Sequence, residues 1–155
     1  VYKRQMLNII DIEKITLAVK SKQILVCVDN TFATPYLQKP LDLGADIVMH
    51  STTKYINGHS DVIGGAVITN DAKILSKLKF WANNLGITGS PFDSYLTLRG
   101  LRTLSLRMKQ HEQNASALVE LLSNHPKVSH VYYPGLKHHP SHEIAKKQHN
   151  IGENK

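Results

Sequence analysis

Lys54 stands in the stretch Asp46-Ile47-Val48-Met49-His50-Ser51-Thr52-Thr53-Lys54-Tyr55-Ile56-Asn57-Gly58-His59-Ser60-Asp61. The apolar run Ile47 to Met49 predicts a short buried strand. Hydroxyl residues follow it, then one lysine, then a glycine turn. Hydroxyls at a strand's carboxyl end can donate hydrogen bonds to an anion such as phosphate, which makes Ser51 and Thr53 candidate ligands. A lysine held there can be partly desolvated, lose its proton more easily and condense with a carbonyl to a Schiff base. Upstream, Val28-Asp29-Asn30-Thr31-Phe32 ends a second apolar run. Taken alone, Asp29 is a strand-end turn or cap residue, and Ser51 and Thr53 are ordinary strand-end polarity.

Two strands must bring these residues together. Ile24 to Val28 is continuously apolar, as in a strand buried on both faces by flanking helices. Cys27 then reads as a small buried core residue. Ala45 to Met49 is the second buried strand, and Gly65 to Thr69 is a third. Helices alternate with the strands. Asp11 can cap one running to about Lys22, with Ile12, Ile15 and Val19 facing a core. Leu41 to Gly44 closes a short one. Asp71 caps another that carries Ile74, Leu75, Leu78 and Trp81 on one face. Ser90 or Asp93 starts the next, to about Leu98. Leu101 to Asn124 is the longest, with Leu104, Met108, Ala115, Leu118, Val119 and Leu122 on its apolar side. Val128 to Tyr133 reads as a strand, and Ser141 to His149 as a final helix. Strands alternating with helices imply an α/β fold with a mainly parallel sheet, whose ligands bind beyond the strands' carboxyl ends. Asp29 and Ser51 to Lys54 then reach the same rim.

The chain has 155 residues and carries 19 Lys and Arg against 12 Asp and Glu, a formal charge of +7. The charges are scattered and aromatics do not interleave with them, which argues against nucleic acid as a partner. A single Cys27 cannot form an internal disulfide, which fits a reducing, cytoplasmic compartment. No apolar run reaches the ~18 residues of a membrane span, so no membrane partner is expected. His138-His139-Pro140-Ser141-His142 has no acidic or cysteine partner at ligand spacing, so no metal is expected there, and the segment reads as surface loop.

Three blocks resemble the Cys/Met-metabolism enzymes that use pyridoxal 5'-phosphate, the trans-sulfuration family. The first is the Lys54 segment, matched at Asp46, Ile47, Ser51 to Ile56 and Gly58 to Ser60. The second is Val28 to Phe32. The third runs from Ser90-Pro91-Phe92-Asp93 through Tyr95-Leu96 to Arg99-Gly100-Leu101. The resemblance covers roughly residues 6 to 149. It implies the large domain of the fold-type-I, aspartate aminotransferase-like architecture, present incompletely. Residues 1–5 are an atypical start, 6–133 the central part of the cofactor domain, and 134–155 the start of a connection towards a C-terminal domain. It implies Lys54 as the Schiff-base lysine and proton shuttle, and Asp29 as the carboxylate on the pyridinium nitrogen. Ser51 and Thr53 would bind phosphate, and Thr31 would lie close to the ring. His59 and Asp61 would support the turn after the lysine. Arg99, Arg102 and Arg107 read as surface or interface ion-pair residues.

The implied activity of the full-length parent is γ-elimination or γ-replacement on cystathionine or an activated homoserine, as in cystathionine γ-lyase or γ-synthase. Methionine γ-lyase, O-acetylhomoserine sulfhydrylase and cystathionine β-lyase share nearly all these blocks. From another class, the chain reads as an inactive fragment or a basic binding domain. The parent is expected to be a homo-oligomer, a dimer of dimers, acting on a small sulfur amino acid. The present chain alone is expected to be inactive.

Overall fold

A computed structural model describes residues 5–149 of the chain. They form two compact units, Ile12–Leu104 and Val1–Asp11 with Ser105–Lys155, the second described over residues 5–11 and 105–149. The first five residues of the atypical start therefore fall outside the described part, save Gln5, as do residues 150–155.

The unit Ile12–Leu104 carries the sheet. Helix α1 spans Ile12–Val19 and runs into a 3-10 turn, Lys20–Lys22. Strand β1 is Cys27–Asp29, β2 is Ile47–Ser51 and β3 is Gly65–Ile68. The order is β1-β2-β3, with β1 and β2 parallel and β3 antiparallel to β2. Between β1 and β2 lie the short helix α2, Thr34–Leu37, and a 3-10 turn, Pro40–Leu43. The parallel pair is registered Cys27 to Ile47 and Asp29 to Met49, so Asp29 and Ser51 both lie at carboxyl ends. Asp46 joins the strands just before β2. Its carboxylate accepts from the Val26 N–H at 2.7 Å, and its carbonyl accepts from the Thr69 hydroxyl at 2.7 Å.

Several expectations need correcting. The first strand is shorter than the apolar run: Ile24 and Leu25 lie outside it and are 53% and 59% exposed. Cys27 is exposed rather than core. A strand is buried on both faces only when layers cover both, and the described residues do not cover this one. On α1 the buried stripe is Ile12 and Thr16, with Ile15 exposed. Thr16 is buried because its hydroxyl donates to the carbonyl oxygens of Glu13 and Leu43, each at 2.9 Å. Gly44 lets that contact form: it sits at φ +89°, and a Cβ there would stand 2.9 Å from Thr16 Oγ1.

Helix α3 spans Ala72–Leu85 and begins at Asp71, whose carboxylate accepts from the Lys73 and Ile74 amides. Helix α4 spans Pro91–Leu101 and begins at Ser90, whose hydroxyl accepts from the Asp93 amide. Both caps are of the expected type and offset. Trp81, Phe80, Phe92 and Tyr95 on these helices are exposed.

The second unit contains most of α5, Leu104–Ser123, and α6, His142–Gln148. On α5, Leu104 and Met108 are buried, whereas Leu118 and Leu122 of the expected apolar side are exposed. Residues 128–133 form no strand. β-branched and aromatic residues favour a strand only when a partner edge accepts their hydrogen bonds, and among the described residues no strand pairs with them. The histidine segment is not plain surface loop, because His139 is buried. Its Nε2 donates to the Met6 carbonyl at 2.9 Å, and its Nδ1 accepts from the Ser141 amide at 3.1 Å. His142 Nδ1 contacts the Pro134 carbonyl at 2.9 Å. Among the described residues no group of His, Cys, Asp and Glu could hold a metal ion, and no helix is long and apolar enough to cross a membrane.

Candidate active site

The rim beyond β1 and β2 is built on one threonine. Thr31 lies two residues past Asp29. Its hydroxyl donates to Asp29 Oδ1 at 2.6 Å, and its amide donates to the same oxygen at 3.1 Å. The same hydroxyl accepts from the Ser51 amide at 2.8 Å. One buried side chain therefore fixes the Asp29 carboxylate and ties it to the end of β2. Two donors on one carboxylate oxygen favour its charged form. Asn30 continues the bracing: its amide donates to the Met49 carbonyl, and its side chain exchanges hydrogen bonds with Gln38, both residues being buried.

After β2 the chain folds into a tight turn. The Asn57 amide donates to Thr52 O and the Gly58 amide to Lys54 O, each at 2.9 Å. Gly58 takes φ +74°, the conformation that ends the turn. Thr52 and Asn57 are buried inside, and Asn57 Nδ2 reaches Thr52 Oγ1 and Val62 O at 3.4 and 3.3 Å. Gly64 closes over this turn, because a Cβ there would lie 2.8 Å from Thr52 Oγ1. The Thr53 hydroxyl donates to Gly64 O at 3.3 Å and accepts from the Gly64 amide at 3.0 Å. Lys54 is exposed. The Ser51 hydroxyl makes no hydrogen bond among the described residues. Phe32 and Tyr55 pack edge to face, centroids 6.1 Å apart.

His59 Nδ1 lies 2.6 Å from the Asn57 carbonyl, in the turn-supporting place expected of it. Asp61 is exposed and makes no hydrogen bond among the described residues, so the turn is held by Asn57 and Thr53 instead. An acidic side chain three residues past Gly58 is exposed, where the backbone has already turned away. Arg99 and Arg102 are exposed and Arg107 is half-buried, with burial lowering its pKa.

Sequence reasoning passed over His50. It is 2% exposed, and its Nδ1 has no hydrogen-bond partner among the described residues. Burial pushes its imidazole below the ordinary value of 6.5, and the nearby Asp29 charge partly opposes that. The signal was a histidine alternating with Val48 on the buried side of a strand. Asn57 and Gly64 were not singled out as site residues, and Gly100 was visible only as a motif residue. Asn57 acts through buried side-chain hydrogen bonds and the glycines through close approach, neither of which has a compositional signature.

Residues 3–153 match the model of the Cys/Met metabolism PLP-dependent enzyme family. The chain belongs to this family. It is 54% identical over 143 residues to the cystathionine beta-lyase of Coxiella burnetii, covering 92% of this chain and 37% of that relative. It is 55% identical over 143 residues to the cystathionine gamma-synthase of Mycobacterium tuberculosis, with the same two coverages. The crystal structure of cystathionine gamma synthase from Xanthomonas oryzae pv. oryzae in complex with cystathionine superposes with a TM-score of 0.92 at 56% identity, covering 95% of this chain and 38% of that one. The chain thus spans little more than a third of the length of the curated relatives it matches. The likeness shows the PLP-dependent fold and an incomplete α/β domain of it.

Pyridoxal 5'-phosphate is the cofactor of the Cys/Met metabolism family. The rim fits such a group. It offers a carboxylate held by two donors, an amine on the turn after the neighbouring strand, and the Ser51 hydroxyl, which makes no hydrogen bond among the described residues. These are the three kinds of group that a pyridinium nitrogen, an aldehyde and a phosphate require.

Proposed function

We propose that the full-length protein is a trans-sulfuration enzyme of sulfur amino-acid metabolism, acting at the γ-carbon of cystathionine or an activated homoserine. The observation that supports it is the Thr31 bridge, which joins the Asp29 carboxylate to the strand end that leads into Lys54. The cofactor, when bound, supplies an electron sink for bonds to the substrate Cα. Lys54 would hold the cofactor through Nζ, and its amine would carry protons between the substrate's Cα and Cβ positions. Asp29 would hold the proton of the ring nitrogen by charge. Ser51 and Thr53 are read as phosphate ligands. Thr31 keeps Asp29 in place beside the ring.

The names of the relatives also favour a second reading, cystathionine β-lyase, in which the bond broken lies at Cβ. Residues 6–133 are read as the central part of the cofactor domain and 134–155 as the start of a connection out of it. A homotetramer of paired subunits in the cytoplasm is the assembly and compartment that fit this role.

Borohydride reduction of the loaded full-length protein, followed by peptide mapping, should put the cofactor's mass on the peptide holding Lys54. Label on another lysine would end the proposal. Release of 2-oxobutyrate from cystathionine marks γ-lyase, and release of pyruvate marks β-lyase. Formation of cystathionine from an activated homoserine and cysteine marks γ-synthase.

A further inference from the structure

Gly100 lies inside helix α4, where glycine is among the least favourable residues because it orders the most backbone for no side-chain contact. It is also buried. A Cβ built on Gly100 would stand 2.5 Å from the Asn57 carbonyl oxygen, 2.6 Å from the Ile56 carbonyl oxygen and 2.9 Å from Asn57 Cα. All three atoms are backbone, so no side chain can swing aside. Ile56 and Asn57 belong to the turn that starts at Lys54 and closes with the Gly58 amide on Lys54 O. The helix therefore seats its bare backbone directly on the turn that carries the lysine.

We infer that Gly100 is a positioning residue for Lys54: the close approach of α4 to the Ile56 and Asn57 carbonyls sets where the lysine stands at the rim. The inference rests on the Lys54 role proposed above. Any side chain at position 100 has to lift the turn, and Lys54 moves with it. A lysine that must meet one aldehyde carbon tolerates little displacement, because reactive geometry is lost within about an ångström.

The test uses the full-length protein carrying Gly100→Ala, with Gly89→Ala as control, since a Cβ at Gly89 meets only Ser94 Oγ at an ordinary 3.6 Å. In the cofactor-free protein, hydrogen exchange is measured over residues 52–60, and labelling of Lys54 by trinitrobenzenesulfonate is timed by peptide mapping. Gly100→Ala is expected to speed exchange at the Asn57 and Gly58 amides about tenfold, to leave residues 72–85 unchanged, and to change the Lys54 labelling rate. In the loaded protein it is expected to lower the borohydride-fixed fraction on Lys54, whereas Gly89→Ala keeps wild-type values. Wild-type exchange and labelling in Gly100→Ala would overturn the inference. If Gly100→Ala does not fold, Asn57→Gly is added to let the turn recede. Lys54 labelling equal to that of Asn57→Gly alone would then overturn it. Absence of cofactor on Lys54 in the wild-type protein would sink the proposed function instead, and the exchange result would still stand or fall by itself.

Discussion

The turn after β2 and the helices α3 to α5 use opposite materials. The turn and the Thr31 bridge that leads to it bury polar groups: Thr31, Thr52 and Asn57 are each at most 5% exposed and are hydrogen-bonded to nearby chain. The helices leave apolar ones in water: Trp81 is 58% exposed, Leu106 70% and Leu121 62%. Buried polar groups demand defined partners at defined distances, so they order a small region by themselves. Apolar faces only demand cover, from whatever supplies it. The site's hydrogen bonding is therefore self-contained, while the helices' apolar faces have no cover among the described residues.

The largest effect should come from the self-contained side. Asp29→Asn in the full-length protein keeps the Thr31 contacts feasible but removes the charge that holds a ring proton. Cofactor should remain fixed on Lys54, while abstraction of the Cα proton slows by about 10²–10⁴-fold. The rate is read from loss of deuterium at Cα. A wild-type rate in a folded variant would reduce Asp29 to a strand-end brace.

The helices make the next prediction. Residues 1 to 155 expressed alone should associate on concentration, because exposed strand edges and apolar helix faces invite contact. The net charge of +7 opposes this only in part. The preparation should release no keto acid from sulfur amino acids. Light scattering from a monodisperse, active monomer would erase the contrast between the two regions.

A smaller effect separates the regions residue by residue. Asn57→Ala in the full-length protein removes the bonds to Thr52 and Val62 from a buried site, which should cost about 1–3 kcal/mol in denaturant unfolding. Asp61→Ala, a few residues along the same turn but in water, should stay within about 0.5 kcal/mol. Equal losses would show that the turn is not held from inside.

Much of this was legible in the residues. A charged or hydroxylated cap followed by an apolar period predicts α3 and α4, because capping is a local hydrogen bond. The Lys54 segment and Asp29 were legible as strand ends, and β1 and β2 do run parallel. Strand extent was not legible. Ile24 and Leu25 have the right type for a strand, but pairing partners decide where one starts. The same reason removes the expected strand at 128–133. Thr31 was singled out by the resemblance as lying close to the ring, yet its bridge to Ser51 depends on strand register. Gly100 was visible only as a letter in a motif, since its meaning is the distance to another segment's carbonyls.

His50 gives the smallest expected effect and the finest test of the self-contained region. Its imidazole is buried on β2, and burial holds its pKa below the ordinary 6.5, against the pull of Asp29. In the fold the ring is neutral where the unfolded chain's ring already takes a proton. The unfolded state thus binds more protons in the window below 6.5, and stability falls as pH falls through it. Below the folded pKa both states are protonated and this contribution levels off. Two-dimensional NMR of the ring protons between about pH 5 and 8 should find the His50 midpoint under the ordinary value. Asp29→Asn removes the opposing charge, so the midpoint should drop further and the acid-side loss should widen. His50→Asn should flatten that part of the stability profile. A midpoint at or above the ordinary value, or one that rises in Asp29→Asn, would mean that His50 is not held neutral beside the carboxylate.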